Sequence, residues 1–311
     1  MINLYKLKKQ ETPIEFLENV SNILKLPIWI KREDKFLFQS KGGSKVRKLI
    51  YIFEDIINNN YDEILTIGSY GSHHVNATAY IGKKLGIPVK AILLPQPFTS
   101  YAKNIFKNSK LYLTSYIESN YTNLFTNLVL ELFMDKKKKL KTYYLPPGGT
   151  NKLGIQAYND AGKELSNYIS KQGNQNNFDL QVCIYGTGGI TAGLLNPTIN
   201  NNLPPIYAIQ VYPGFWNGKY HISYLSRKLI INNIKTLLRS KKLTSTRNYL
   251  GNSYGSKEVQ NEEAVKLFAK DKIFLDPIYL ARAGRAIIDL SKQKEKPKGI
   301  LLWYTSPNRF F

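Results

Sequence analysis

The chain has 311 residues, of which 43% are apolar, and its 44 Lys and Arg against 22 Asp and Glu give a formal charge of +22. A chain of this length is longer than a domain with one ordinary hydrophobic core and suits two α/β lobes. No apolar run approaches the ~20 residues that span a bilayer, and the Lys-rich start lacks the features of a signal peptide. The single cysteine, Cys183, excludes an intramolecular disulfide and a cysteine zinc site. We therefore expect a cytoplasmic protein.

The basic excess would suit nucleic-acid binding, because Lys and Arg give sequence-independent affinity for phosphate. Its densest run, Lys136–Lys141, follows an apolar helical stretch, where lysines favour the C-terminal end of the helix dipole. No nucleic-acid-binding motif accompanies it. We interpret the charge as a solvated surface and expect neither a nucleic acid nor a membrane as partner.

Short apolar runs alternate with amphipathic stretches along the chain, which predicts an α/β fold with parallel sheets flanked by helices. In chain order, the predicted elements are a helix at Lys45–Asn59, a strand at Glu63–Gly68, a helix at Ser72–Leu85, a strand at Val89–Pro95, a helix at Tyr101–Asn108, a strand at Lys110–Ser115, a helix at Tyr121–Phe133, a strand at Thr142–Leu145, a helix from Leu153, strands at Leu180–Gly186 and Ile206–Tyr212 with a helix between them, helices at His221–Ser240, Glu262–Ala269 and Ile278–Leu290, and a strand at Ile300–Thr305.

Three turns carry unusual chemistry, and the first is Lys41–Leu49, KGGSKVRKL. Its two glycines permit positive φ or close backbone approach before a helix, and Ser44 can cap that helix. Lys45 then lies in the first turn, where the positive end of the dipole disfavours a cation and lowers the lysine pKa. This position suits a lysine that forms a Schiff base, although a solvated surface lysine is the commoner case.

The second turn, Gly68–His74, reads GSYGSHH and joins a predicted strand to a helix. Ser72 and His73 stand at the helix N-terminus, where a side-chain oxygen and backbone N–H groups can bind an anion such as a carboxylate. A plain serine cap with two incidental histidines is an equally good interpretation. The histidines lack metal-ligand spacing, and we predict no metal site.

The third turn, Gly186–Leu194, reads GTGGITAGL and follows the apolar strand LQVCIYG. A glycine-rich turn that leads into a helix binds phosphate well, because bare N–H groups and the helix dipole favour a dianion. The spacing differs from a Walker loop and from the dinucleotide fingerprint, so an isolated phosphate fits better than a nucleotide.

A lysine at one turn and a phosphate-binding loop at another are the two attachments that pyridoxal phosphate (PLP) requires. The segments around them resemble, in order, the PLP-dependent D-cysteine desulfhydrase and 1-aminocyclopropane-1-carboxylate (ACC) deaminase family, of the tryptophan synthase β-like fold. The segments are WIKRED at Trp29–Asp34, GGSKVRKL, GSHH, PPGGTNKLG at Pro146–Gly154, GTGGITAGL, GNSYG at Gly251–Gly255, LDPIY at Leu275–Tyr279 and ILLWYT at Ile300–Thr305.

The resemblance implies a PLP-dependent lyase or deaminase in which Lys45 binds PLP and later moves the substrate Cα proton. Ser72 would receive the substrate carboxylate, and Tyr254 and Tyr279 would face the substrate, although many of the 22 tyrosines must simply pack. It also implies a homodimer, and two domains: a large PLP-binding one of residues 1–48 and 148–311, with residues 49–147 inserted as a small one. The implied cofactor contacts are Lys45, His73, Gly186, Thr187, Gly188, Gly189, Ile190, Thr191, Leu280 and Thr305.

Three departures from the family pattern cluster at residues that would surround the PLP ring. His73 replaces an Asn that contacts the cofactor 3-oxygen, and imidazole can still donate a hydrogen bond. Leu280 replaces a Thr or Glu near the pyridine nitrogen, and leucine neither donates nor accepts. Ser306 and Pro307 replace two glycines. These departures leave the lysine and the phosphate loop intact, so PLP binding is still predicted, whereas the reaction stays open.

The leading functional hypothesis is a D-cysteine desulfhydrase-like α,β-elimination from a small amino acid, giving ammonia and a 2-keto acid. Alternatives are ACC ring opening, a β-replacement or specialised biosynthetic step, and a non-catalytic PLP-binding protein. ACC ring opening is the less favoured of the reactions, since that deaminase's Glu near the pyridine nitrogen is Leu280 here.

Overall fold

The computed structural model describes residues 3–39, 41–172, 178–212, 218–227, 241–251, 255–256 and 258–305. These residues divide into two compact units: unit 1 takes in 3–10 and 37–154, and unit 2 takes in 11–36 and 155–305. The predicted domain boundaries, at 48/49 and 147/148, differ from these units chiefly at residues 37–48, which the prediction assigns to the large domain and which lie in unit 1. The domain assignment stays a prediction.

The strands are short and lie mostly where apolar runs predicted them. They are β1 (Ile14–Phe16), β2 (Ile28–Arg32), β3 (Leu37–Phe38), β4 (Lys41–Gly42), β5 (Glu63–Ser69), β6 (Val89–Leu94), β7 (Ser115–Glu118), β8 (Thr142–Leu145), β9 (Leu180–Tyr185), β10 (Ile206–Gln210), β11 (Leu243–Thr246) and β12 (Ile300–Tyr304).

The helices fill most of the intervals between strands. They are α1 (Leu4–Lys8), α2 (Glu18–Leu24), α3 (Ser44–Asn58), α4 (His73–Leu85), α5 (Ser100–Lys110), α6 (Leu124–Lys137), α7 (Lys152–Gln172), α8 (Gly189–Asn200), α9 (Gly218–Ser226), α10 (Glu262–Ala269) and α11 (Leu280–Ser291). None of the described helices combines the length and hydropathy that a bilayer crossing requires.

Unit 2 is built on a six-stranded sheet of order β1-β2-β12-β9-β10-β11, parallel except for the edge strand β1. Side chains of successive residues alternate between its faces. Leu302 and Val182 pack with α2, α10 and α11 on one face, whereas Trp303 and Cys183 pack with α7, α8 and α9 on the other. Helices cover both faces, as the predicted α/β class requires.

Unit 1 contains a parallel four-stranded sheet of order β7-β6-β5-β8 and the small antiparallel pair β3-β4. Leu65, Ile67 and Ile92 pack against α6, and the alternate residues Ala91 and Leu93 pack on the opposite side with Phe106 of α5. The expected α/β fold with helix-flanked parallel sheets is confirmed in both units.

One predicted element differs from the structure. Lys110–Ser115 is not a strand: α5 continues to Lys110, because its buried positions Ala102, Ile105 and Ser109 recur at helical spacing. Leu111, 66% exposed, lies in the turn that follows, and β7 begins only at Ser115. The strands β1, β3, β4 and β11 and the helices α1 and α2 were not predicted. Most of the predicted helix at His221–Ser240 lies outside the described residues.

Candidate active site

The lysine turn of unit 1 places Lys45 at the second position of α3. Gly43, with φ 130°, is the N-cap residue, so the prediction that Ser44 caps the helix is wrong: Ser44 is the first helical residue. The Lys45 side chain is partly exposed. Burial of its ammonium lowers the pKa of Lys45 to about 8, since an ion in a poorly solvated position favours its neutral form. About a tenth of the amine is therefore neutral at pH 7.

A second lysine, Lys48, lies one turn further along the same face of α3. Its side chain is 1% exposed, and its Nζ donates to the carbonyl of Gly148 at 3.1 Å. Burial, together with the charge of Lys45, lowers the pKa of Lys48 well below its usual range. An anion bound beside the two lysines would raise both pKa values, because it would favour the charged form of each side chain. The spacing of Lys48 three residues after Lys45, on one face of a helix, was its sequence signal, and no role was predicted from it.

The serine turn follows the carboxyl end of β5, as predicted. Ser72 is the N-cap of α4, and its Oγ accepts from the N–H of Val75 at 3.3 Å. A Cβ on Gly68 would lie 2.7 Å from the Ser72 Oγ, so the turn requires glycine there. The half-buried hydroxyl and the first N–H groups of α4 form a place where a carboxylate can bind.

His73 is the first residue of α4, and its Nε2 lies 2.8 Å from the hydroxyl of Tyr101. Burial, with a smaller effect from the charge of Lys45, lowers the pKa of His73 to about 4, so the ring is neutral at pH 7. Burial, with a smaller effect from the charge of Lys45, also lowers the pKa of His74 well below its usual range. Unit 1 thus brings the lysine turn and the serine turn into one electrostatic environment. Tyr101 was not singled out from the sequence.

The glycine-rich loop of unit 2 joins β9 to α8. Gly188 is the N-cap of α8 with φ 84°, a left-handed conformation that favours glycine. A Cβ there would lie 2.9 Å from Leu225 Cδ1 and 3.0 Å from the Tyr185 ring. The Tyr185 hydroxyl lies 2.7 Å from His221 Nδ1, a contact that the sequence analysis missed. This packing fixes the loop backbone at the start of the helix.

The first turn of α8 comprises Gly189, Ile190 and Thr191, all buried, whereas Thr187 is exposed and Gly186 is half-buried. The first N–H groups of a helix lack intrahelical acceptors and suit a phosphate. The Cys183 thiol behind the loop lies 3.5 Å from the Thr191 hydroxyl, and burial raises the pKa of Cys183 to about 12. It is therefore a packing residue, as the sequence indicated.

The segment LDPIY leads into α11, with Tyr279 as the N-cap residue and Leu280 as the first helical residue. The buried carboxylate of Asp276 accepts from the N–H groups of Tyr279 at 2.7 Å and of Leu280 at 3.0 Å. Leu280 is fully buried in the apolar cluster with Tyr304. Asp276 therefore fixes the backbone of both predicted site residues, a role that its position before proline did not reveal.

Three further predicted features lie at the ends of elements or beyond the described part of the chain. Thr305 is half-buried and directly follows β12, which neighbours β9, so it shares the sheet edge from which the glycine-rich loop leaves. Tyr254, Ser306 and Pro307 lie outside the described residues.

Comparison with known proteins decides the family. A model described as pyridoxal-phosphate dependent enzyme matches residues 6–305. The chain belongs to this family of PLP-dependent enzymes. It is 27% identical over 303 residues to a putative ACC deaminase of Thermotoga maritima, covering 93% of this chain and 92% of that protein. It is 28% identical over 314 residues to another of that name from Pyrococcus furiosus, covering 95% and 89%.

A solved structure described as an ACC deaminase homologue resembles this PLP-dependent enzyme with a TM-score of 0.77. The two are 25% identical, and the match covers 96% of this chain and 90% of that one. A hydrogen sulfide-producing enzyme from Fusobacterium nucleatum, 16% identical with a TM-score of 0.63, shares the fold over 100% of this chain and 99% of that chain. The tryptophan synthase β-like fold inferred from the motifs is confirmed.

The residues present fit PLP. Lys45, with its lowered pKa, would hold the cofactor covalently. The N–H groups of Gly188–Thr191 would hold its phosphate, at a loop where an added Cβ on Gly188 would collide. When bound, PLP supplies the electron sink for breaking a bond at the Cα of an amino acid. The departures from the family pattern at His73 and Leu280 stay predictions about the ring's surroundings, and the Leu280 side chain offers no polar group.

Proposed function

We propose that this PLP-dependent enzyme is a lyase that eliminates the β-substituent of a small amino acid, with D-cysteine as the substrate to test first. The overall reaction converts D-cysteine and water into pyruvate, hydrogen sulfide and ammonia. The Cα–H and Cβ–S bonds break, and water replaces the nitrogen as the keto oxygen. No oxidant or reductant is consumed.

The observation that carries the proposal is the position of Lys45 on the first turn of α3, in the same electrostatic environment as the serine turn. Burial lowers the pKa of Lys45 to about 8, so after the substrate has displaced this amine, it can accept the Cα proton as a general base. Ser72, in the same unit, offers its hydroxyl and the start of α4 to the substrate carboxylate. Tyr279 and Tyr254 are proposed to face the substrate and to assist departure of the β-substituent.

Leu280 favours elimination over ring opening. Its side chain is fully buried and its N–H is bound by Asp276, so this position supplies no polar group to a pyridine nitrogen. A weaker electron sink suits a substrate whose thiolate leaves quickly. Ring opening of ACC makes a greater demand on the sink.

The test is turnover by the PLP-loaded enzyme, with sulfide and pyruvate measured for D-cysteine and L-cysteine, and 2-oxobutanoate measured for ACC. We expect sulfide and pyruvate in equal amounts and none from Lys45→Ala. ACC ring opening is the second candidate, because two relatives are named as putative ACC deaminases. Formation of 2-oxobutanoate without sulfide would select it and overturn the elimination proposal.

We also propose a homodimer, following the family resemblance. Sedimentation equilibrium of the PLP-loaded enzyme tests this: the monomer mass is 35.6 kDa, and a species of that mass alone at micromolar concentration contradicts the proposal.

A further inference from the structure

Unit 2 contains a cavity of about 790 Å³ at the amino ends of its strands. Pro27, Asp179 and Pro205 line it, and each immediately precedes a strand of the six-stranded sheet, namely β2, β9 and β10. This volume lies within the range of small-molecule sites. The proposed function makes no use of the cavity.

One wall of the cavity is aromatic. The rings of Phe16 and Trp29, on paired strands, lie 5.1 Å apart, and the rings of Trp29 and Phe178 lie 5.8 Å apart. Phe16 is 51% exposed although it is a large apolar side chain. A flat apolar group could therefore cover this ring surface, and ring contacts of this kind add to the free energy of area burial.

The polar residues of the wall favour an anion. Lys242 Nζ donates to Asn202 Oδ1 at 2.7 Å and to the carbonyl of Leu203 at 2.9 Å. Lys298 provides a second ammonium. The one carboxylate of the lining, Asp179, already accepts from the backbone N–H of Lys298 at 3.0 Å. Two cations against one engaged carboxylate give the cavity a net positive charge.

The cavity is separate from the candidate active site. The glycine-rich loop follows the carboxyl end of β9, and Asp179 precedes its amino end. Six residues of strand place the two about 20 Å apart. A ligand in the cavity would therefore not occupy the place of the cofactor phosphate.

We propose that this cavity is a second ligand site, for a small molecule that joins a flat apolar ring system to a carboxylate. The aromatic wall binds the ring system, and Lys242 and Lys298 attract the carboxylate. The probe for the test is indole-3-propionate, with the neutral indole-3-propionamide and the cationic tryptamine as charge controls.

Calorimetric titration of the PLP-loaded enzyme should show one indole-3-propionate bound per chain, with a dissociation constant of about 1 mM or tighter. The amide should bind several-fold more weakly, and tryptamine more weakly again. Lys45→Ala should bind the probe unchanged, which separates this proposal from the proposed reaction. If the probe does not bind, for example because a second copy of the chain covers the wall, the proposal is overturned. Equal binding of the three probes overturns it as well.

Matched variants locate the site. Phe16→Ala should weaken probe binding at least threefold, whereas Phe274→Ala, at a phenylalanine of similar exposure (55%) outside the cavity, should not. Lys298→Gln should weaken it about threefold, the effect of one exposed charge pair. Lys294→Gln makes the same charge change on an exposed lysine that does not line the cavity. Equal effects within either pair would show that binding occurs elsewhere and would contradict the assignment.

Discussion

The Nε2 atom of His73 lies 2.8 Å from the hydroxyl oxygen of Tyr101, at the first residue of the helix that Ser72 caps. The family pattern has Asn where His73 stands, and no sequence rule links this histidine to a tyrosine 28 residues later. With the pKa of His73 lowered to about 4 by burial, the contact joins two neutral groups. Tyr101 thereby orients the ring that replaces the family's amide.

Tyr101→Phe removes the hydroxyl and leaves the aromatic packing. If His73 contacts PLP, we expect PLP affinity to fall about fivefold, the value of one neutral hydrogen bond of about 1 kcal/mol. Absorbance titration of the apo-enzyme with PLP measures it. Tyr70→Phe is the matched control, because its hydroxyl donates to Glu118 on the surface at 3.1 Å. Equal affinity of Tyr101→Phe and the parent enzyme would remove His73 from the cofactor contacts.

Lys45→Ala should abolish the absorbance band of lysine-bound PLP and all turnover, because the neighbouring amine of Lys48 is buried and donates to the carbonyl of Gly148. The fold should survive, since the side chain is partly exposed. Lys83→Ala, at an exposed lysine in the last turn of α4, serves as the control and should retain both. An unchanged band in Lys45→Ala would refute the assignment of the cofactor lysine.

The pH dependence of PLP capture should report the lowered pKa of Lys45. Only the neutral amine attacks the cofactor. With a pKa of about 8, about a tenth of Lys45 is neutral at pH 7 and about nine tenths at pH 9. The capture rate should therefore rise about tenfold between these values and level off above pH 9. An ordinary lysine pKa would instead give a steady rise of about a hundredfold over the same interval, without levelling.

Local sequence predicts site residues where a turn leads into a helix, because a lysine, a serine and a glycine cluster each have a chemical use at such a place. The structure places Lys45, Ser72 and Gly188 at the starts of α3, α4 and α8, and their roles stay predictions.

The sequence analysis missed Lys48, Asp276 and Tyr185, whose roles arise from burial and from partners distant in the chain. Asp276 before proline is typical of an ordinary turn, and only the structure reveals its bonds to the N–H groups of Tyr279 and Leu280.

Gly188→Ala should weaken PLP binding more than it weakens the fold. The positive φ alone costs about 1–2 kcal/mol for a residue with a Cβ, and that Cβ would also meet Leu225 and the Tyr185 ring. Gly86→Ala is a matched control, because Gly86 has φ 74° at the end of α4 with nothing within 4 Å of the added atom. Thermal unfolding should show a loss of stability in both variants.

Absorbance titration with PLP then separates the two glycine variants. Gly86→Ala should bind PLP with unchanged affinity. Gly188→Ala should bind at least tenfold more weakly, because relief of the collision moves N–H groups that the phosphate requires. Parent-like affinity in Gly188→Ala would exclude this loop as the phosphate site.

Ser72→Ala tests the carboxylate site. Loss of an N-cap side chain costs about 1 kcal/mol of stability, and Thr99→Ala should cost a similar amount, since the Thr99 hydroxyl caps α5 by accepting from Ala102 N–H at 3.2 Å. Only Ser72→Ala should also raise the concentration of amino acid needed to shift the absorbance of the PLP-loaded enzyme, because only its hydroxyl is proposed to meet the substrate carboxylate. The expected rise is about fivefold or more. If both variants shift that concentration equally, the effect of Ser72 is on stability alone, and the carboxylate binds elsewhere.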